Sequence, residues 1–488
     1  MRSRRITAVA TATAALAAGL LTAGLPASTA LAAGESTSYL VLAPQGGPVG
    51  KAAARVAKAG GTVTASYGQI GVLVVRSSSP SFVTDVAGQG VESAASTAGL
   101  GSPLEDEPTD GRVAPGTTGD PTGEPLWTKQ WDMDQIDVPA AHAVTTGSPD
   151  VIVGVLDSGI SSAHPDLATQ IDKGRSVSCL GGKQDRSEAA WNPTTSDHGT
   201  HVAGTIAAAI NGVGIAGVAP GSKVAAVKIV TDEGFIFPEA AVCGFLWAAD
   251  NGIQVTNNSY YIDPWELNCR NDARQRPVWQ AVQRALRYSQ AKGVLHIASA
   301  GNSNYDLQHK VQDSGSPNDG SAPVEDRTTT GACMVLPGEA PGVVTVSSVG
   351  IEARKSYFSS YGQGVVDVTA PGGDTRQPNP SRSDVTKAIL STTFNPTTGV
   401  NGWGYKQGTS MSSPHAAGVA ALALSAHPGL KPGALAALLE RTATPIACPT
   451  GVYDPRPGLP QYQATCTGGD ARNSFYGAGN VNALNAVQ

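Results

Sequence analysis

Four residues stand where chemistry could be done, each in a short polar segment next to an apolar run. Asp157 follows the run 151–156 in L-D-S-G-I, and His198 lies in S-D-H-G-T-H-V-A-G-T, ahead of an apolar stretch. Asn302 lies in S-A-G-N-S, and Ser410 lies in G-T-S-M-S-S-P-H at the expected start of a helix. Each alone has an ordinary structural use. Aspartate and serine cap helices, asparagine forms turns and histidine sits in loops. Together they make a different set. A histidine base can take the proton of a serine hydroxyl while a carboxylate orients the imidazole and stabilises its charged form. A side-chain amide can donate to an oxyanion as it develops. That is the equipment for acyl transfer through a covalent intermediate. The surroundings of Ser410 are not G-x-S-x-G, which argues against a lipase-like α/β-hydrolase.

Such residues must be delivered to one place by rigid elements. Residues 151–156 form a continuous apolar run, and 224–230, 293–298 and 343–349 are largely apolar. Runs of this kind suit strands buried on both faces, and the helical patterns between them predict an α/β fold with a doubly wound, mostly parallel sheet. In open sheets of that kind the reacting groups gather at the carboxyl ends of the strands. Ahead of this region, residues 37–96 alternate extended runs (39–42 and 70–75) with helical patterns (49–58 and 81–88), which predicts a small α+β unit in β-α-β-α order. Residues 99–125 are Gly, Pro, Thr and acidic, and read as an exposed linker open to proteolytic processing.

The chain has 488 residues, 41% of them hydrophobic and 15% charged, enough for a sizeable core and too apolar for general disorder. Its net charge, 33 − 39 = −6, speaks against a nucleic-acid partner. Arg2, Arg4 and Arg5 precede an apolar, alanine-rich stretch, Pro26 and a small-x-small site at Ala30 to Ala32. This order predicts a signal peptide over residues 1–32 and a secreted, extracellular protein. The stretch is short for a membrane span and no later segment replaces it, so no membrane association is expected after cleavage. The general and twin-arginine export routes both stay open. Six cysteines in an exported chain predict disulfides, with Cys448 and Cys466, flanking a Pro/Gly/Tyr loop, as the expected pair. No C-x-x-C spacing suggests a metal site among them.

Three segments, V-G-V-L-D-S-G-I, H-G-T-H-V-A-G-T and G-T-S-M-S-S-P-H, resemble in sequence and order the signatures of the subtilisin-like serine peptidases, the subtilases. The resemblance covers residues 127–485 and includes the closing Y-G-A-G-N-V-N-A-L-N-A. It implies a peptidase domain over 126–488 in which Asp157 orients, His198 is the general base and Ser410 the nucleophile. It implies that Asn302 donates to the oxyanion beside the Ser410 N–H, and that His201 and His415 are packed structural residues. It also implies that residues 33–98 are a propeptide, acting as chaperone and inhibitor, and that the 99–125 linker carries the processing site. Protein or peptide substrates follow from the same likeness, and nothing calls for a partner subunit, so a monomer is expected.

Ser259, Tyr260 and Tyr261 fall where the family has a Ser-Leu-Gly-Gly segment that pairs with substrate, and Gly301 is the further candidate for substrate binding. The tyrosines leave the pocket's side-chain preference open, and the insert 262–276, with Trp265 and Cys269, borders it. No cofactor is needed for the chemistry. A structural calcium is implied by Asp166 and by Asn211 in the loop 209–215, which resemble family ligands. The family's N-terminal glutamine ligand has no aligned counterpart, since Trp127 stands there and Gln130 is displaced. An alternative of another class is a non-catalytic, protease-fold binding protein. Retention of every chemical group favours the endopeptidase, and a general esterase would share its acyl-transfer step.

Overall fold

The strand β6 (Ile152–Asp157) is buried at every position, and its side chains divide between two cores. Val153 and Val155 face one side with Val202 and Ala417, while Ile152 and Leu156 face the other with Val227 and Phe245. A strand with alternate residues in two apolar layers must have helices on both faces, which is why the run reads as continuous rather than alternating. The computed structural model describes residues 36–97, 107–113, 123–310, 312, 313, 316 and 327–488. The signal-peptide reading lies outside them, as does part of the linker.

Around β6 lie β7 (Val177–Ser178), β8 (Lys223–Lys228), β9 (Val255–Asn258), β10 (Leu295–Ser299), β11 (Val343–Val349) and β12 (Val368–Pro371). They form a seven-stranded sheet in the order β12-β11-β10-β9-β6-β8-β7, with every pairing parallel. Helices α3 (His198–Ala207) and α6 (Thr409–Ala426) cover one face, and α4 (Pro238–Asp250) and α5 (Arg276–Ala291) the other. The doubly wound sheet is as expected. The sequence did not single out β9, V-T-N-N, because its two asparagines break the apolar run, yet all four residues are buried.

The N-terminal unit is richer than the β-α-β-α expectation. It comprises β1 (Thr37–Leu42), α1 (Gly50–Lys58), β2 (Gly61–Tyr67), β3 (Val72–Ser77), α2 (Phe82–Val86) and β4 (Ser93–Ser96). These strands form an antiparallel sheet in the order β2-β3-β1-β4. Strands β2 and β4 escape the sequence because one has a single buried residue, Tyr67, and the other is built of serine and alanine. One face of this sheet packs on α1 and α2 through Val41, Val56 and Phe82. The other face, Leu40, Leu42, Val72 and Val74, joins the same core as α4 and α5.

The linker is not exposed throughout. Strand β5 (Glu107–Val113) pairs antiparallel with β14 (Asn401–Gln407), which itself pairs with β13 (Ile389–Phe394). Cys448 pairs with Cys466 as expected, and Cys179–Cys243 and Cys269–Cys333 complete the disulfides. Among the described residues, no helix is long and apolar enough to cross a membrane.

Candidate active site

Asp157 ends β6, 1% exposed, and its Oδ1 accepts the Ser158 N–H at 2.7 Å. His198 opens α3, and its Nδ1 lies 2.8 and 2.9 Å from the two Asp157 oxygens. A carboxylate only accepts, so Nδ1 carries a proton, and in a neutral imidazole the lone pair then stands at Nε2. The next residue has to be glycine. A Cβ on Gly199 would lie 2.4 Å from the Gly159 carbonyl and 3.0 Å from Asp157 Cβ. Strand and helix therefore meet closely enough for the pair to form only because that side chain is missing.

Ser410 is the second residue of α6 and is half-buried. Its hydroxyl faces the Ser259 carbonyl at 3.3 Å. Asn302 follows β10 and is exposed, with its Oδ1 accepting from the Thr409 N–H at 2.9 Å and the Thr409 hydroxyl at 2.8 Å. A backbone N–H can only donate, so the carbonyl oxygen of the amide is fixed there and the NH₂ group points elsewhere. A Cβ built on Gly408 would lie 3.4 Å from Asn302 Nδ2 and 3.6 Å from Ser410 N, so both nitrogens border the same bare glycine. Gly301 donates its N–H to the Thr409 hydroxyl at 3.2 Å, which ties this loop to the start of α6.

Of the residues in the segment expected to pair with substrate, Ser259 is fully buried and Tyr260 is 4% exposed. The Tyr260 hydroxyl donates to Asn258 Oδ1 at 3.0 Å, and burial, with the Asp157 carboxylate nearby, pushes its pKa well above the usual phenol range. Tyr261 is half-buried and packs with Leu267 and Ala300. A relay that the sequence did not reveal lies beneath. Ser413 donates to Asn257 Oδ1 at 2.6 Å, Asn257 Nδ2 donates to the Ser259 hydroxyl at 2.9 Å, and Ser259 donates to the Ser410 carbonyl at 2.9 Å. No local signal marks Asn257 or Ser413, because their partners come from distant segments.

His201 and His415 are both buried. His201 Nε2 reaches the Ile389 and Gly404 carbonyls, and His415 Nε2 lies 2.9 Å from Asp132. Asp166 is buried, with its Oδ2 accepting from the Ile215 N–H at 3.1 Å and the Trp403 indole at 2.7 Å. Asn211 lies on the adjoining loop, where its Oδ1 accepts from the Val213 N–H at 3.0 Å. Among the described residues, no group of three or more His, Cys, Asp and Glu side chains could hold a metal ion.

Residues 148–479 match the model of the subtilase family. The chain belongs to the subtilase family. Fervidolysin of Fervidobacterium pennivorans is 30% identical over 330 residues, 66% of this chain and 41% of fervidolysin. The subtilase thus spans less than half the length of that relative. Subtilisin DY of Bacillus licheniformis is 32% identical over 294 residues, 60% of this chain and 84% of that protein. Among solved structures, a protease of Pseudoalteromonas arctica is similar with a TM-score of 0.55 and 28% identity, covering 75% of this chain and 98% of its own.

Proposed function

We propose that this subtilase is a secreted serine endopeptidase that hydrolyses peptide bonds in proteins or peptides and is made as a self-processing precursor. The observation that carries the reading is the contact of His198 Nδ1 with both Asp157 oxygens, at 2.8 and 2.9 Å. It leaves Nε2 as the basic nitrogen of the ring. The Ser410 hydroxyl attacks the scissile carbonyl and gives its proton to His198 Nε2, while Asp157 stabilises the imidazolium. Asn302 Nδ2–H and the Ser410 N–H donate to the oxyanion of the tetrahedral intermediate. His198 then protonates the leaving amine, and water, activated in the same way, releases the acyl group from Ser410.

The N-terminal unit fits the part of a propeptide that stays docked until it is cleaved. Its sheet shares a core with α4 and α5, and Arg284 of α5 donates to the Ala43 carbonyl at 2.8 Å and to Glu92 at 2.7 Å. Arg284 is 7% exposed, so this contact is shielded from solvent. The test is the intact mass of the secreted protein beside Ser410→Ala, with fluorophosphonate labelling of both. A shortened, labelled wild type and a long, unlabelled variant are expected. If both stay long, unlabelled and unable to cleave casein, the chain is a protease-fold binding protein.

A further inference from the structure

Glu124 belongs to the segment read from the sequence as exposed linker, yet it is 0% exposed. Its carboxylate takes main-chain N–H groups from the loop where a calcium ion is expected. Oε1 accepts from Asn211 and, at 2.7 Å, from Gly212, and Oε2 accepts from Gly214 at 3.2 Å. The residues that follow continue the same lacing. The Leu126 N–H donates to the Gly214 carbonyl at 2.9 Å, and the Gln130 side chain exchanges two hydrogen bonds with Ala216, at 2.9 and 3.1 Å. On the far side of the loop, Asp166 holds the Ile215 N–H and the Trp403 indole N–H. A Cβ on Gly214 would lie 2.2 Å from Trp403 Nε1 and 2.4 Å from Asp166 Oδ2, so only glycine lets the loop close on these groups.

Calcium needs about six to eight oxygen atoms converging on one point. This loop turns N–H groups toward two carboxylates instead, and the indole directs the positive end of its dipole at Asp166. Asn211 Oδ1 accepts from the Val213 N–H, and the Gly214 carbonyl accepts from the Leu126 N–H. Backbone amides aimed at one carboxylate make an anion seat. The residues present do not fit a calcium ion.

We infer that this subtilase fastens the start of its catalytic domain to the loop 209–215 with the Glu124 carboxylate in place of a calcium ion, and that its stability is independent of calcium. The clamp does not depend on the chemistry at Ser410. Hydrogen bonds to a carboxylate are the stronger kind, and shielding from water strengthens them further. Glu124→Gln keeps the size of the side chain but sets an NH₂ group against an N–H donor.

The test uses the full chain with Ser410→Ala, so that no self-digestion intervenes. Thermal unfolding is expected to give the same Tm in EGTA and in millimolar calcium chloride. Adding Glu124→Gln is expected to lower Tm by about 2–3 °C, from the strength of charge-assisted bonds and the entropy of unfolding of a chain of this length. A saturable rise of Tm with calcium, or an unchanged Tm in Glu124→Gln, overturns the inference. Should Glu124→Gln fail to fold, calorimetric titration of the Ser410→Ala chain with calcium chloride still decides. No binding heat supports the clamp, and a heat that Asp166→Asn abolishes refutes it.

Discussion

The Ser259 hydroxyl donates to the main-chain carbonyl of Ser410 at 2.9 Å, in the turn of α6 where Pro414, four residues on, has no N–H to offer. A buried carbonyl without a donor is costly, and proline inside a helix leaves one. Ser259, directly after β9, supplies it. Ser259→Ala is expected to destabilise the fold by about 1–3 kcal/mol, the usual effect of orphaning a buried polar group. Turnover should fall with little change in KM, read from denaturant melts and steady-state kinetics. An equal fall in Ser413→Ala would place both residues on one relay.

Asp157→Asn leaves the shape of the pair but can hold His198 in the wrong tautomer. A loss of about 10⁴-fold in kcat is expected, as for the corresponding change in another serine protease, with Tm nearly unchanged. Ser410→Ala should lose about 10⁶-fold, the size of the effect in subtilisin. Fluorophosphonate labelling and amide hydrolysis check both.

Asn302 does two things, since its Oδ1 holds Thr409 while its NH₂ is the proposed oxyanion donor. Asn302→Asp keeps the acceptor and removes the donor. It should lower kcat by about 10²–10³ with Tm little changed. If kcat survives in Asn302→Asp, the oxyanion is held by other groups.

Glu239, at the start of α4, is 3% exposed and faces Ser38, Arg76 and Thr97 of the N-terminal unit, with the Tyr67 phenol also near. Burial pushes its carboxyl pKa above the usual range. Docking of the unit therefore favours the protonated form. The stabilisation from this group is complete below the ordinary carboxylate value and is lost as pH rises through the raised one. Retention of the N-terminal unit on the processed enzyme should weaken with rising pH by this contribution. Gel filtration across pH ~4 to ~8 measures it, and Glu239→Gln should flatten the dependence.

The clamp at Glu124 bounds the processing site. A cut after Glu124 would strip the carboxylate from the N–H groups of Asn211, Gly212 and Gly214. Sequencing of the mature N-terminus should find it on the N-terminal side of Glu124. A mature chain beginning later would contradict this.

The sequence by itself determined the sheet and the places of Asp157, His198 and Ser410 at the ends of its elements. Asp157 ends an unbroken apolar run, and His198 and Ser410 stand at the starts of helices whose small, apolar residues are mostly buried. Such patterns are legible because strand and helix periodicity are local properties of the chain. Tertiary structure alone decided which polar residues are buried and by whom they are satisfied. Asn257 meets Ser413 across 156 residues and Glu124 meets Asn211 across 87. Neither pair leaves a trace in composition or spacing. The same distance buried the side chains of Ser259 and Tyr260, and made a linker glutamate a fixed point of the fold. Burial withdraws water as the alternative partner, and which segment then provides the hydrogen bond depends on how the whole chain packs.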